Sequence, residues 1–221
     1  MTRSISKEYL LFSMDETGKL IKKDNRIYFL TSCLIELLLK DVVYIENENL
    51  YIKNQLQEEN NHLLPLYKTI KYSAAMKPAE LLLGVPLNEL FNSVKEALIK
   101  EKKTIEIKEI KIFGKDKIYI ISKDTEINNI LENIKNLIKN NNPLDETTTI
   151  LIDLLLKSNI IQDSLSLSEL NYIRSASEKI RSNESNETYK ALKKRVNSQT
   201  LVSNMLDFIQ DTINLCFLFI K

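Results

Sequence analysis

His62 is the only histidine in the 221-residue chain. A site needing two or three imidazole ligands is therefore ruled out, and a Ser-His-Asp triad would have to be built on this one residue. It lies in the polar stretch Asn60-Asn61-His62, which reads as an exposed loop. Cys33 and Cys216 are the two cysteines, with no CxxC between them, so neither a zinc knuckle nor a disulfide framework is expected. Each is flanked by apolar residues, the setting of a buried thiol in a reducing compartment. Gly18, Gly84 and Gly114 stand apart from one another, which removes the P-loop and the dinucleotide fingerprint, since both need clustered glycines to bring backbone amides against phosphate. No GxSxG elbow occurs. Carboxylates are many but alternate with lysines, and no acid pair stands out. Glu36, inside Leu34-Ile35-Glu36-Leu37, is the acid expected to be partly buried, held by a structural hydrogen bond. These residues imply a protein without catalytic activity, cofactor or metal.

The remaining chemistry is cationic. Lys19, Lys22, Lys23 and Arg26 crowd one segment; Lys100, Lys102 and Lys103 close a helix; Lys190, Lys193, Lys194 and Arg195 lie late in the chain. Each cluster reads either as a solvated face or as contact with an anionic surface, the latter worth about 1 kcal/mol per basic residue near acidic lipid. A net charge of +1 argues against a dedicated nucleic-acid binder. No N-terminal signal peptide is visible in Met1-Thr2-Arg3-Ser4. The longest apolar runs, such as Leu215 to Ile220, are far shorter than the ~20 residues of a spanning helix. The expected location is cytoplasmic, with any membrane contact peripheral on the cytoplasmic face.

The elements that position these residues are mainly helical. Ser4 or Ser6 caps a short helix carrying Tyr9, Leu10 and Phe12, stopped near Gly18. Asp24 or Asn25 caps a second, with Ile27, Leu30, Leu34, Leu37 and Leu38 on one face. Val42 to Ile45 and Leu50 to Ile52 flank a polar turn as a β-hairpin. Residues 53–61 read as loop. Pro65 opens a helix running to about Ala75, and Pro78 a short one ending at Gly84. Pro86 opens another, with Leu87, Leu90, Phe91, Val94, Ala97 and Leu98 as its apolar stripe. Thr104 to Ile121 reads as a second hairpin turning at Gly114-Lys115-Asp116. The phase change between Ile107 and Ile110 suggests a bulge. Asp124 caps a helix broken at Asn140 to Pro143, and Thr148 to Lys157 forms another. Ser166 and Glu169 have capping-box spacing for a helix through Arg181, and one or two more helices end in the apolar C-terminus. No long linker or repeat divides the chain, so residues 1–221 are expected to form one domain.

In this order the motifs resemble a known family. Tyr9-Leu10-Leu11-Phe12-Ser13-Met14-Asp15-Glu16-Thr17-Gly18-Lys19-Leu20 is similar to the opening of the Golgi phosphoprotein 3 domain. Ser32-Cys33-Leu34-Ile35-Glu36-Leu37-Leu38-Leu39-Lys40-Asp41 resembles its next helix, and Asp145 to Ile161 its leucine-rich helix. Ser168 to Ile180 fits the basic helix that follows, and the apolar C-terminus its central helix. The likeness runs along nearly all the chain. It implies a mainly α fold, a helical bundle around a central C-terminal helix with two β-hairpins. It also implies a non-catalytic peripheral membrane adaptor that binds phosphatidylinositol 4-phosphate and oligomerises through a hairpin.

The family's lipid pocket has a tryptophan, an arginine nine residues later and two basic residues on a later helix. Alignment on Leu34-Ile35-Glu36-Leu37 and on Val94 to Leu98 places these at Ile21, Leu30, Asn92 and Lys95, of which Lys95 alone keeps the charge. Lys22, Lys23 and Arg26 are the available substitutes. The oligomerisation hairpin would use Ile110, Ile112, Gly114, Ile118 and Ile120. Such departures fit a bacterial relative.

The sequence leaves two other functions open. The helix and hairpin from Asp24 to Ile52 have the outline of a winged-helix unit for nucleic acid. Against it, the helix lacks a base-reading row and the wing carries Glu46 and Glu48. A lipid-independent assembly module, pairing hairpin edges into a homo-oligomer, is the other.

Overall fold

Ser4 has extended backbone and its Oγ accepts the Lys7 N–H, so the chain enters its first helix with a side-chain cap. The computed structural model describes residues 3–15, 18–22, 25–47, 49–109, 117–122, 124–140, 146–161, 166–168, 170–171 and 175. Helix α1 (Ile5–Ser13) is buried along its whole length. Such a helix must satisfy its charged residues internally. Arg3 donates to both Glu8 oxygens at 2.7–2.8 Å and also to Thr148 Oγ1, while Lys7 pairs with Glu101.

Helix α2 (Asn25–Leu39) is apolar nearly all round, and in its span Arg26 alone is fully exposed. It packs on α1. Strands β1 (Val43–Glu46) and β2 (Asn49–Ile52) pair antiparallel, with Tyr44 stacked on Tyr51. The Leu50 N–H reaches the Met76 carbonyl, which ties this sheet to the segment after α3 (Leu64–Lys71). A short α4 (Leu81–Gly84) leads into α5 (Leu87–Lys100), which buries Leu90, Val94 and Leu98 completely. Burial of each such side chain contributes about 1.5–3 kcal/mol. Strands β3 (Thr104–Glu109) and β4 (Lys117–Ser122) pair antiparallel. Helices α6 (Asp124–Lys139) and α7 (Glu146–Lys157) follow, and α7 packs on α1 and α2. The buried apolar residues of these elements form one cluster.

Scarce glycine shapes how the helices stop. After α2, Asp41 takes φ 58°; its N–H reaches the Leu38 carbonyl and that of Val42 reaches Leu37. Lys102 (φ 58°) does the same after α5, with Ile99 and Leu98 as acceptors. Asn159 (φ 54°) repeats it after α7, with Leu156 and Leu155. This is the Schellman ending, here built with non-glycine residues in the left-handed region.

Several boundaries differ from the sequence expectation. Residues 58–61 are not loop but part of a 3-10 segment, Glu58–Leu63, because Asn60, His62 and Leu63 are all drawn into the interior. Helix α3 stops at Lys71 rather than near Ala75, where the Ser73 hydroxyl donates to the Thr69 carbonyl and competes for the last turn. The β3–β4 register is continuous from Thr104↔Ser122 to Glu109↔Lys117, so no bulge interrupts it as far as Glu109. Ile110 and the turn at Gly114 lie outside the described residues. So do most of the helix expected from Ser166 to Arg181 and all of the C-terminal helix.

Candidate functional site

The loop between α1 and α2 is a backbone-stitched projection. The Asp15 N–H reaches the Lys19 carbonyl at 2.8 Å, Lys19 N–H reaches Asp15 Oδ1 at 3.0 Å, and Ile21 N–H reaches the Ser13 carbonyl at 2.9 Å. Gly18 turns the chain with φ 68°, a conformation that suits glycine. This stitching holds Lys19, Leu20 and Lys22 at a fixed place beside the first turn of α2, which adds Arg26 and, one turn on, Phe29.

Facing them is the start of α5. Leu87, Asn88 and Phe91 fall at i, i+1 and i+4, on one side of that helix. Between the two walls lies a cleft of about 350 Å³. Its floor is aromatic: Phe29, 1% exposed, meets Phe91 edge-on with ring centres 5.7 Å apart. All three cations stand on one wall, and the α5 wall contributes none. Among the described residues, Lys19, Lys22 and Arg26 have no carboxylate partner. Lys22 Nζ approaches only the Asn159 carbonyl, at 3.5 Å. Three cations without a carboxylate partner among the described residues, beside a half-apolar cleft, favour an anionic ligand.

The structure brings Lys22 and Arg26 together in this cleft; Lys23 lies outside the described residues. Ile21 is 55% exposed next to the cleft without lining it. Leu30 is 4% exposed and belongs to the core. Asn92 is exposed and faces away from the cleft lining. Lys95 also does not line it; its Nζ sits 5.0 Å from the centre of the Phe91 ring, a cation–π contact that holds the ring from the far side. Of the hairpin positions, Ile118 and Ile120 sit in β4 opposite Lys108 and Glu106. Ile110, Ile112 and Gly114 lie outside the described residues. Sequence reasoning did not single out Phe29, Leu87, Asn88 or Phe91. The i, i+4 pair Leu87/Phe91 read as core stripe, and the one available signal was Phe29 three residues after Arg26, on the same helix face.

A second cluster is buried. Glu36, 2% exposed, accepts from Ser4 Oγ at 2.8 Å, Ser6 Oγ at 2.7 Å and the Ser6 N–H at 2.9 Å, all on Oε2. His62 Nε2 stands 3.4 Å from Oε1, within electrostatic pairing distance though neither atom makes a hydrogen bond of good geometry. Burial pushes the Glu36 carboxyl up, but His62 and the Ser6 donors outweigh it and bring it down to about 2. This corrects the reading of His62 as an exposed loop histidine: it is 5% exposed, drawn inward to a buried carboxylate. Cys33 is also buried, and burial together with the Glu36 charge pushes its thiol well up, which removes the reactive thiolate. The serine hydroxyls donate to the carboxylate, an arrangement that stabilises a buried charge rather than activating a nucleophile.

A DNA-reading helix must show a polar row to the groove, and α2 shows only Arg26. Among the described residues no group of three or more His, Cys, Asp or Glu is placed to hold a metal. No described helix is long and apolar enough to cross a membrane. No family model matches the chain, and no curated protein matches it either.

Proposed function

We propose that this protein is a non-catalytic peripheral membrane adaptor of the Golgi phosphoprotein 3 type, which docks on phosphatidylinositol 4-phosphate or another anionic lipid headgroup through the cleft between α2 and α5. The observation that carries the reading is the set of three cations, Lys19, Lys22 and Arg26, without carboxylate partners among the described residues, on one wall of a cleft with an aromatic floor. The cleft joins the two segments on which the resemblance places the lipid pocket. Arg26 stands one helical turn before Leu30, and Asn88 and Phe91 one turn before Asn92 and Lys95. In this reading the apolar C-terminus supplies the central helix of a bundle. The β1–β2 and β3–β4 pairs are its two β-hairpins, and the second pairs with another copy. The protein works in the cytoplasm, on the membrane face.

Co-sedimentation with liposomes tests this. Neutral vesicles are expected to leave the protein in solution, and vesicles containing phosphatidylinositol 4-phosphate to carry it down, with binding weakened by salt. Lys22→Glu together with Arg26→Glu removes two attractive charges, about 1 kcal/mol each, and lowers affinity at least about 30-fold. Unchanged binding by that variant would sink the proposal, as would absence of binding to every anionic membrane.

A further inference from the structure

Electrostatics accounts for only part of the cleft. Its cations come from the loop and the first turn of α2, while the half-buried Leu20, Leu87 and Phe91 supply three apolar surfaces, two of them on the opposite, uncharged wall. A volume of about 350 Å³ is at the small end of sites that enclose an organic ligand. A phosphate group fills a fraction of it. A headgroup alone would leave the apolar surfaces of Leu87 and Phe91 facing water.

Leu87 and Phe91 are only partly buried against the core, so they retain apolar surface toward the cleft. The Phe91 ring has little freedom to turn away: Phe29 meets its plane at 76° and Lys95 lies over its face. Phe91 is therefore braced by two ring contacts.

Resting on the lipid-docking reading above, we infer that the cleft takes a phosphorylated lipid with part of its glycerol and acyl portion inside, the phosphate on Lys19, Lys22 and Arg26 and the first acyl carbons against Leu87 and Phe91. The ligand is an amphiphile lifted part-way from the bilayer, and a free sugar phosphate or inorganic phosphate fills only the cationic side.

The test uses the full chain and soluble probes. Isothermal titration is run with a short-chain phosphatidylinositol 4-phosphate, below its micelle concentration, and with its water-soluble inositol phosphate headgroup. The short-chain lipid is expected to bind at least about tenfold more tightly, since removing a few acyl carbons from water is worth that much. Leu87→Gln is expected to bring the two affinities together by lowering that of the short-chain lipid about tenfold. A thermal melt shows whether that variant is folded, and the wild-type ratio stands as a test without it. Equal affinities for the two probes overturn this inference and leave headgroup docking standing. Failure of both probes and of liposomes to bind overturns both.

Discussion

Replacing Glu36 by Gln keeps the shape of a buried side chain and removes its charge. In the native protein the carboxyl titrates at about 2 instead of its ordinary 4.5. The direction fixes the sign: a group whose folded value is depressed stabilises the fold above its unfolded value, and that stability disappears as pH falls through the folded one. The contribution is therefore complete above about pH 5 and lost between about 4.5 and 2, and the separation is worth about 3 kcal/mol. At neutral pH Glu36→Gln also leaves His62 facing an amide and gives Ser4 and Ser6 a weaker acceptor. The expected loss there is about 3 kcal/mol, the value set by the depressed carboxyl. The assay is urea unfolding of both proteins at matched pH values from 7 down to the lowest at which the native protein stays folded. Other carboxylates titrate alike in both and cancel in the difference. The gap between the two proteins is expected to narrow as pH falls, by about 1 kcal/mol for each pH unit below 4. A gap that stays constant from pH 7 to pH 3 would refute the account of Glu36 as a charge held by Ser4, Ser6 and His62.

Lys102, exposed at φ 58° after α5, carries the cost of a side chain in the left-handed region. Lys102→Gly relieves it and, after the added freedom of the unfolded chain, is expected to raise stability by about 0.5–1 kcal/mol in thermal or urea unfolding; a loss would mean that the Lys102 side chain itself holds the α5 terminus. Ile118→Lys with Ile120→Lys places two charges on β4, and if that hairpin joins copies of the chain the mass by light scattering is expected to drop to that of one protomer. An unchanged oligomer would exclude this pair of strands as the interface.

Local chemistry was legible where it repeats along the chain. Ser4 as a cap, Pro86 before α5 and the apolar faces of α2, α5 and α7 follow from spacing and propensity, and each is present, whereas Gly18, expected to stop α1, turns the loop beyond it, because α1 already ends at Ser13. The buried state of Glu36 was legible too, because an acid inside Leu34-Ile35-Glu36-Leu37 has no exposed face to take. His62 was not. Its neighbours Asn60 and Asn61 are polar, and the force that draws it inward is a carboxylate 26 positions earlier in the chain, a contact that no local pattern encodes. The places where α5 and α7 end were legible, but the left-handed backbone at Lys102 and Asn159 was not. Glycine is the usual sign of a left-handed stop, and a chain with three glycines stops its helices without that sign.

The cleft joins these two kinds of information. Its cations were visible as a run, but a run of lysines near a helix start is most often solvated, and nothing in the sequence says what faces it. The answer depends on α1 and α2 lying side by side, which the Ser4/Ser6–Glu36 hydrogen bonds enforce across their interface. The same two helices carry the ends of the stitched loop from Asp15 to Lys22, so their spacing sets where Lys19 and Lys22 stand relative to Arg26. Phe29 then fixes the distance to α5 through Phe91. A lesion at Arg26, exposed and without a carboxylate partner among the described residues, is expected to remove charge and leave the fold intact.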